Sequence, residues 1–151
     1  MVLEWLKQRY NEVISNLKVE VTRLKNKGFL EAVVAGCALV AHADGVVRPE
    51  EKQKMMGFLR NSEVLSVFDV QEVIQIFEKY SKQFDFDHKI GQASSLQAVS
   101  KLKGKPSEAR LMVRVCCAIG AADGNFDEHE KAVVRNICNE LELNPHDFDL
   151  S

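Results

Sequence analysis

The sequence predicts an all-α protein: one compact bundle of about seven helices with an internal pseudo-two-fold repeat. Apolar residues recur every three to four positions, and the strict alternation that is typical of strands is never sustained. Glycine and proline are scarce, with 8 and 3 among 151 residues, so few positions interrupt a helix. The same helix–turn–helix pattern occurs twice, which indicates a duplication within a single domain that spans 1–151.

The repeated pattern is centred on an Asp-Gly turn. Residues 43–52 read ADGVVRPEEK and residues 122–131 read ADGNFDEHEK, so the aspartates, glycines, second glutamates and lysines coincide. Each copy follows an apolar, alanine-rich run and precedes an amphipathic run, which places the repeat units at about 29–60 and 106–141. Because there are only two copies, the pattern favours one duplicated domain over a solenoid.

Breakers and caps predict where the helices of the first half begin and end. A first helix spans about 2–26, and Gly28 is available for a left-handed cap after it. The next, over 29–43, is apolar almost all round, as a buried central helix is. Pro49 suits the first position of a third helix, which reaches about residue 59 and precedes a connector.

The rest of the chain contains two capping-box patterns, Asp69 with Glu72 and Asp127 with Glu130. We expect the apolar helix over 106–122 to pack against the helix over 29–43 in the core, where their small residues permit close approach. The predicted helices from residue 69 onward span 69–83, 106–122 and 127–141, with another that begins at Asp85 or Asp87 and reaches about 103, and a final short turn begins at 144–145.

Charge and hydropathy restrict which classes of partner the protein can bind and where in the cell it can lie. The net charge is −2, so no overall field attracts nucleic acid, but 1–28 and 79–105 are basic and 123–151 is acidic. The longest apolar run, 32–41, is half the length of a membrane span. Charged residues near the start of the chain, such as Glu4 and Lys7, leave no apolar stretch for a signal peptide. We therefore expect a cytoplasmic protein without a span of its own.

The two turns match only the second half of a calcium-binding EF-hand loop, in which aspartate and glycine precede a glutamate. One interpretation is purely structural: the glycines end helices, and Glu130 belongs to a capping box. A bound cation is the other interpretation. Asp44 and Asp123 lie at carboxyl ends of helices, where a negative charge costs about 0.3–1 kcal/mol. A capping box does not explain Glu51, because the residue at the cap position of its helix is Arg48, whose side chain is not a capping acceptor.

The paired motif resembles the TerB-like family of tellurite-resistance proteins, whose signature is an Asp-Gly turn with a glutamate seven residues past the aspartate. The resemblance covers nearly the whole chain. It implies that Asp44, Glu51, Asp123 and Glu130 bind a divalent metal cation, with Ca²⁺ or Mg²⁺ favoured. It also implies a non-enzymatic adaptor in tellurite resistance, working with the integral membrane protein TerC at the inner face of the bacterial inner membrane.

A rival function is a thiol-based protein that reduces or sequesters tellurium. The chain has no Cys-x-x-Cys pair, and no cysteine has a basic neighbour at a helix start to lower its pKa. Free cysteines are among the most buried residues, so we expect all four to pack in the core. His42 and His129 flank the turns and could assist a metal, but neither has a matching histidine in the opposite copy, so we expect each to be a surface or hydrogen-bonded residue. The cysteines are Cys37, Cys116, Cys117 and Cys138.

Overall fold

The computed structural model describes residues 4–7, 9–45, 48–122 and 126–150, and within them the protein is all-α, as predicted. Seven helices there have 12 residues or more, and a four-residue helix precedes them. No helix in these ranges combines the length and apolarity that crossing a membrane requires. The helices are α1 Glu4–Lys7, α2 Tyr10–Leu24, α3 Lys27–Ala41, α4 Pro49–Arg60, α5 Val70–Phe86, α6 His88–Ser100, α7 Pro106–Gly120 and α8 Glu128–Glu140, followed by a 3-10 helix, Pro145–Phe148.

Helix α3 forms the centre of the bundle. It packs against α5, α6, α7 and α8, and 11 of its 15 residues are buried. The predicted contact between α3 and α7 is confirmed, and Gly36 allows the two helices to approach closely. A Cβ atom at Gly36 would lie 2.6 Å from Cε of Met112 and 2.8 Å from Sγ of Cys116. The small residue therefore sets the spacing in the core.

The amino-terminal boundaries differ from the prediction of one helix over 2–26. The structure has α1 and α2 there, and residue 8 lies outside the described residues. Gly28 is not a cap but lies inside α3, because Asn26 caps that helix. The Oδ1 atom of Asn26 accepts a hydrogen bond from the N–H of Phe29 at 2.8 Å, which satisfies a backbone donor at the helix start.

The two predicted capping boxes have different outcomes. At α8 the box is complete: the N–H of Glu130 donates to Asp127 Oδ1 at 2.8 Å, and the N–H of Asp127 donates to Glu130 Oε1 at 3.0 Å. At α5 the side chain of Asp69 caps the helix by accepting from the N–H of Gln71 at 2.9 Å. That bond replaces the expected one to Glu72.

The predicted repeat units at 29–60 and 106–141 coincide with α3–α4 and α7–α8. In each unit an apolar, buried helix is followed by a turn and then by a helix with an exposed face. The two-fold relation between the units and the single domain over 1–151 stay predictions. What matters for function is that the turn after α3 lies beside the amino ends of α4 and α8, because residues of all three segments line one cavity.

Candidate functional site

A polar cavity of about 130 Å³ lies where the carboxyl end of α3 meets the amino ends of α4 and α8. We call it the carboxylate cavity. It brings together three of the four residues predicted as metal ligands, from three segments of the chain. The fourth, Asp123, lies outside the described residues. The polar side chains that line the cavity are Asp44, Arg48, Glu51, Lys54, Asp127, His129 and Glu130.

The turn after α3 places Asp44 at the rim. The last turn of the helix closes when the N–H of His42 donates to the carbonyl of Ala38 at 3.2 Å. Gly45 then has a φ of 79°, a left-handed conformation that strains any residue with a Cβ atom. Its N–H donates to the carbonyl of His42 at 3.1 Å. A turn over residues 42–44 therefore follows α3, and Asp44 lies beyond the end of the helix.

Helices α4 and α8 present their first turns to the same cavity. Glu51 lies in the first turn of α4, and Arg48 is the cap residue, whose side chain makes no capping bond. Asp127 and Glu130 form the capping box of α8. An acidic first turn suits the positive end of a helix dipole, so these carboxylates are stabilised where they lie without a cation.

The sequence prediction missed three charged residues of the cavity: Arg48, Lys54 and Asp127. Arg48, Glu51 and Lys54 are three residues apart, and this spacing places side chains on one face of a helix. The spacing could have indicated that Arg48 and Lys54 accompany Glu51. Asp127 had a visible role as a cap, and nothing in the sequence marked it as part of a larger site.

An ion pair reduces the unfavourable charge at the end of α3. Oδ2 of Asp44 lies 3.2 Å from Nη2 of Arg48, and both side chains are partly exposed. The cavity is lined by four carboxylates and two basic side chains, which leaves a formal charge of −2 with His129 neutral. One divalent cation would neutralise that charge.

The donor atoms fit a hard divalent cation in their chemistry, because Ca²⁺ and Mg²⁺ prefer carboxylate oxygens. Their positions do not yet form a binding site. In the part of the chain that the structure describes, no three His, Cys, Asp or Glu side chains are grouped so that they could hold a metal ion. To gather around a cation, Asp44 would leave Arg48 and Glu130 would release the N–H of Asp127. An exposed ion pair contributes about 0–1 kcal/mol, and a helix cap contributes about 1 kcal/mol.

The four thiols are in the core, as expected. Cys37, Cys116, Cys117 and Cys138 are at most 1% exposed. A contact with Cys37, together with burial, raises the pKa of the Cys116 thiol, and burial also raises the pKa of Cys117. Burial raises the pKa of Cys138 to about 12. The fold therefore buries all four thiols, and the raised pKa values of Cys116, Cys117 and Cys138 keep these three thiols protonated near neutral pH.

The two histidines beside the turns differ in their exposure to solvent. His129 is exposed and lines the carboxylate cavity. His42 was expected at the surface or hydrogen-bonded, and this prediction is wrong: the side chain is 1% exposed and stacks on Phe84 with 4.4 Å between ring centroids. Neither ring nitrogen of His42 has a hydrogen-bond partner among the described residues.

A family model and a known relative both place the chain in the same family. A family model described as "Tellurite resistance protein TerB" matches residues 30–151. The chain is 49% identical over 96 residues to "Tellurium resistance protein TerB" from Alcaligenes sp, and this match covers 64% of the chain and 79% of that relative. No solved structure gives a significant match. The region matched by the family model contains the whole carboxylate cavity.

Proposed function

We propose, since the chain belongs to the TerB family of tellurite-resistance proteins, that it acts in tellurite resistance as a non-enzymatic, cation-binding adaptor. The cation is a hard divalent ion, Ca²⁺ or Mg²⁺, and it binds in the carboxylate cavity. One observation carries the proposal: Asp44, Glu51 and Glu130, chosen from the sequence motif, line a single cavity although they come from three different segments.

Charge and donor type support this choice of ligand. Carboxylates outnumber basic groups in the cavity by two, and oxygen is the donor that both ions prefer. Calcium takes six to eight oxygens, so Asp44, Glu51 and Glu130 supply part of the shell. Asp127, Asp123 and water are the sources we propose for the remaining ligands.

Cation binding would join three helix ends. Asp44 belongs to the turn after α3, Glu51 to α4 and Glu130 to α8. If Asp44 and Glu130 move to the cation, the Arg48 guanidinium loses its partner and becomes available at the surface. The loaded protein would then differ from the empty one in stability and in surface charge, and a partner can recognise both differences.

We propose that the partner is a membrane-bound protein such as TerC, reached by electrostatic docking at the cytoplasmic face of the inner membrane. All six lysines between 79 and 105 are exposed, and they provide a basic surface for an acidic partner. Such docking weakens as salt is raised, because the exposed charges are screened. The expected observation is a dissociation constant for the membrane partner that rises between low and physiological ionic strength.

Growth on tellurite tests the proposed function in cells. Cells that depend on this chain should lose resistance when it carries Asp44→Asn together with Glu51→Gln, because two ligands of the cation lose their charge. The matched control is Glu50→Gln, which removes a charge from the same turn of α4 at a residue that does not line the cavity. Full resistance with the double variant, present at the wild-type level in the cell, would contradict the proposal.

A further inference from the structure

An open groove of about 400 Å³ runs between α4 and α5. We call it the α4–α5 groove. Its surface is mainly apolar, and Met56 and Phe77 form one end of it. At the other end, Nζ of Lys52 lies 2.7 Å from Oδ2 of Asp85, and this ion pair joins the first turn of α4 to the last turn of α5. The two helices are therefore antiparallel along the groove.

An exposed aromatic ring lies beside the groove. Phe86 is the last residue of α5 and follows Asp85, which lines the groove. Phe86 is 81% exposed, so its ring fills neither the core nor the groove of its own chain. Ile90, in the first turn of α6, is 47% exposed. A protruding ring next to an apolar groove forms a larger apolar surface than a single exposed side chain does, and such surfaces mark interaction sites.

Two charges of opposite sign at the edge of the groove have no ion-pair partner. Glu78 and Lys82 line the groove from α5, and both are exposed. Neither side chain forms an ion pair or a hydrogen bond with another residue that the structure describes. They are four residues apart and lie on one face of the helix. If two copies of α5 lie antiparallel about a two-fold axis midway between these positions, each Glu78 faces Lys82 of the other copy.

The same two-fold arrangement brings each Phe86 to the groove of the other copy. Phe86 is one turn beyond Lys82 on α5. Its ring therefore lies past Glu78 of the other copy, towards the end of the groove that Met56 and Phe77 form. Aromatic rings buried in pockets are common anchors of protein interfaces. Because a two-fold interface repeats every contact, this one face supplies both the ring and the groove twice.

The charges of this face favour a second copy of the chain over other partners. An anionic membrane or an acidic protein would attract Lys82 but repel Glu78, and a basic protein would do the opposite. A second copy pairs both charges at once. One groove and one helix face make a small contact, and contacts of this size belong to weak, transient complexes.

We infer that two copies of this chain form a reversible homodimer through the α4–α5 groove. Phe86 of each copy binds in the groove of the other, and two Glu78–Lys82 ion pairs flank the two rings. The inference does not depend on the carboxylate cavity, because neither Phe86 nor the two charged residues line it.

Sedimentation velocity at protein concentrations up to about 1 mM tests the inference, with a chelator present so that divalent cations play no part. Wild-type protein should change from monomer to dimer as its concentration rises. Phe86→Ser should raise the dissociation constant of the dimer by more than about thirtyfold, because each dimer loses two anchoring rings. The matched control Val19→Ser alters a residue of α2 that is 49% exposed and lies outside the groove, and it should dimerise as the wild type does.

Charge reversal tests the two-fold pairing itself. Glu78→Lys and Lys82→Glu each place like charges opposite one another, so each should raise the dissociation constant by more than about tenfold. An equimolar mixture of the two variants should dimerise again, because the basic face of one then meets the acidic face of the other. A mixture that associates no better than its components would contradict the pairing.

Two further outcomes would overturn the inference. One is a wild-type protein that stays monomeric at every concentration, or a dimer that Phe86→Ser leaves intact. The other is a monomer that sediments with anionic phospholipid vesicles and loses this binding in Phe86→Ser, because the face would then dock on a membrane.

Discussion

The middle of α3 and the turn that follows it carry the two chemistries by which a protein could handle tellurium or a metal ion. In the middle, Cys37 lies against Cys116 of α7, and both thiols are 1% exposed. Beyond the end of α3, Asp44 is exposed and lines an open, polar cavity with Glu51 and Glu130. Both sets of residues suggest reactivity when the sequence is read alone. The two sets differ in accessibility, because the thiols are buried and the Asp44 carboxylate is exposed.

The comparison shows why burial matters more than residue type. A thiol is reactive as a thiolate, and burial raises its pKa, so packing makes the sulfur atoms inert. The carboxylate of Asp44 is exposed to solvent, and carboxylate oxygens are the ligands that a hard divalent cation prefers. The thiols of the core are therefore inaccessible to a ligand, whereas the side chains at the turn after α3 are accessible to one.

The largest effect is expected for thiol modification. In the native protein, all four cysteines should react with a maleimide at least about a thousandfold more slowly than in urea, because the reagent reaches them only when the structure opens. The measurement is the rate of labelling, followed by mass spectrometry. If any one cysteine reacted in the native state as fast as in the unfolded chain, the thiol-based alternative would be favoured again.

Shortening a core side chain at the α3–α7 contact should destabilise the fold strongly. Met112 is fully buried and packs against Gly36, so Met112→Ala should lower the free energy of unfolding by about 2–5 kcal/mol. The control Val19→Ala shortens a side chain that is 49% exposed and should change it by less than about 0.5 kcal/mol. Urea denaturation measures both, and equal effects would mean that this contact does not organise the core.

His42 should make the stability depend on pH. Its pKa falls from 6.5 to about 4 on folding, so between these values the unfolded chain binds a proton that the folded chain does not. Stability is then complete above pH 6.5 and decreases by about 3 kcal/mol as the pH falls to about 4. Urea denaturation with a chelator present, at several pH values, measures this loss. The loss should be smaller in His42→Phe, and an identical pH dependence in that variant would contradict the explanation.

The two turns themselves should differ in the stability that their caps provide. Asp127→Ala removes a complete capping box and should lower the free energy of unfolding by about 1 kcal/mol. Arg48 stands at the equivalent cap of α4 without a side-chain capping bond, so Arg48→Ala should have an effect below about 0.5 kcal/mol. Urea denaturation again distinguishes them. Equal losses would mean that the second turn is not stabilised by its box.

Much of the fold was predictable because its signals are local. The apolar runs of α3 and α7, the prolines at the starts of α4 and α7, and the box at Asp127 each act within a few residues. The boundary between α2 and α3 was not predictable from Gly28, because Asn26 caps the start of α3 and Gly28 lies inside that helix. Asn26 begins the next helix by accepting a hydrogen bond from the N–H of Phe29.

The site was predictable only in part. The motif identified Asp44, Glu51 and Glu130, but it could not show that α8 brings Glu130 to the turn after α3, since this is a long-range contact. The burial of His42 depends on Phe84, far along the chain, so no local pattern indicates it. The charge balance of the cavity likewise depends on Lys54 and Asp127, which belong to different helices.

The central claim is that the turns bind a cation, and calorimetric titration with Ca²⁺ and with Mg²⁺ tests it most directly. We predict saturable binding that disappears when Asp44→Asn is combined with Asp123→Asn, while circular dichroism shows that the fold survives. Glu50→Gln should bind as the wild type does, and Arg48→Gln should bind more tightly because it removes the ion pair with Asp44 and one positive charge from the cavity. Absence of heat and of any thermal shift at millimolar concentrations of either ion would contradict the claim and leave the four acidic residues with turn and cap roles alone.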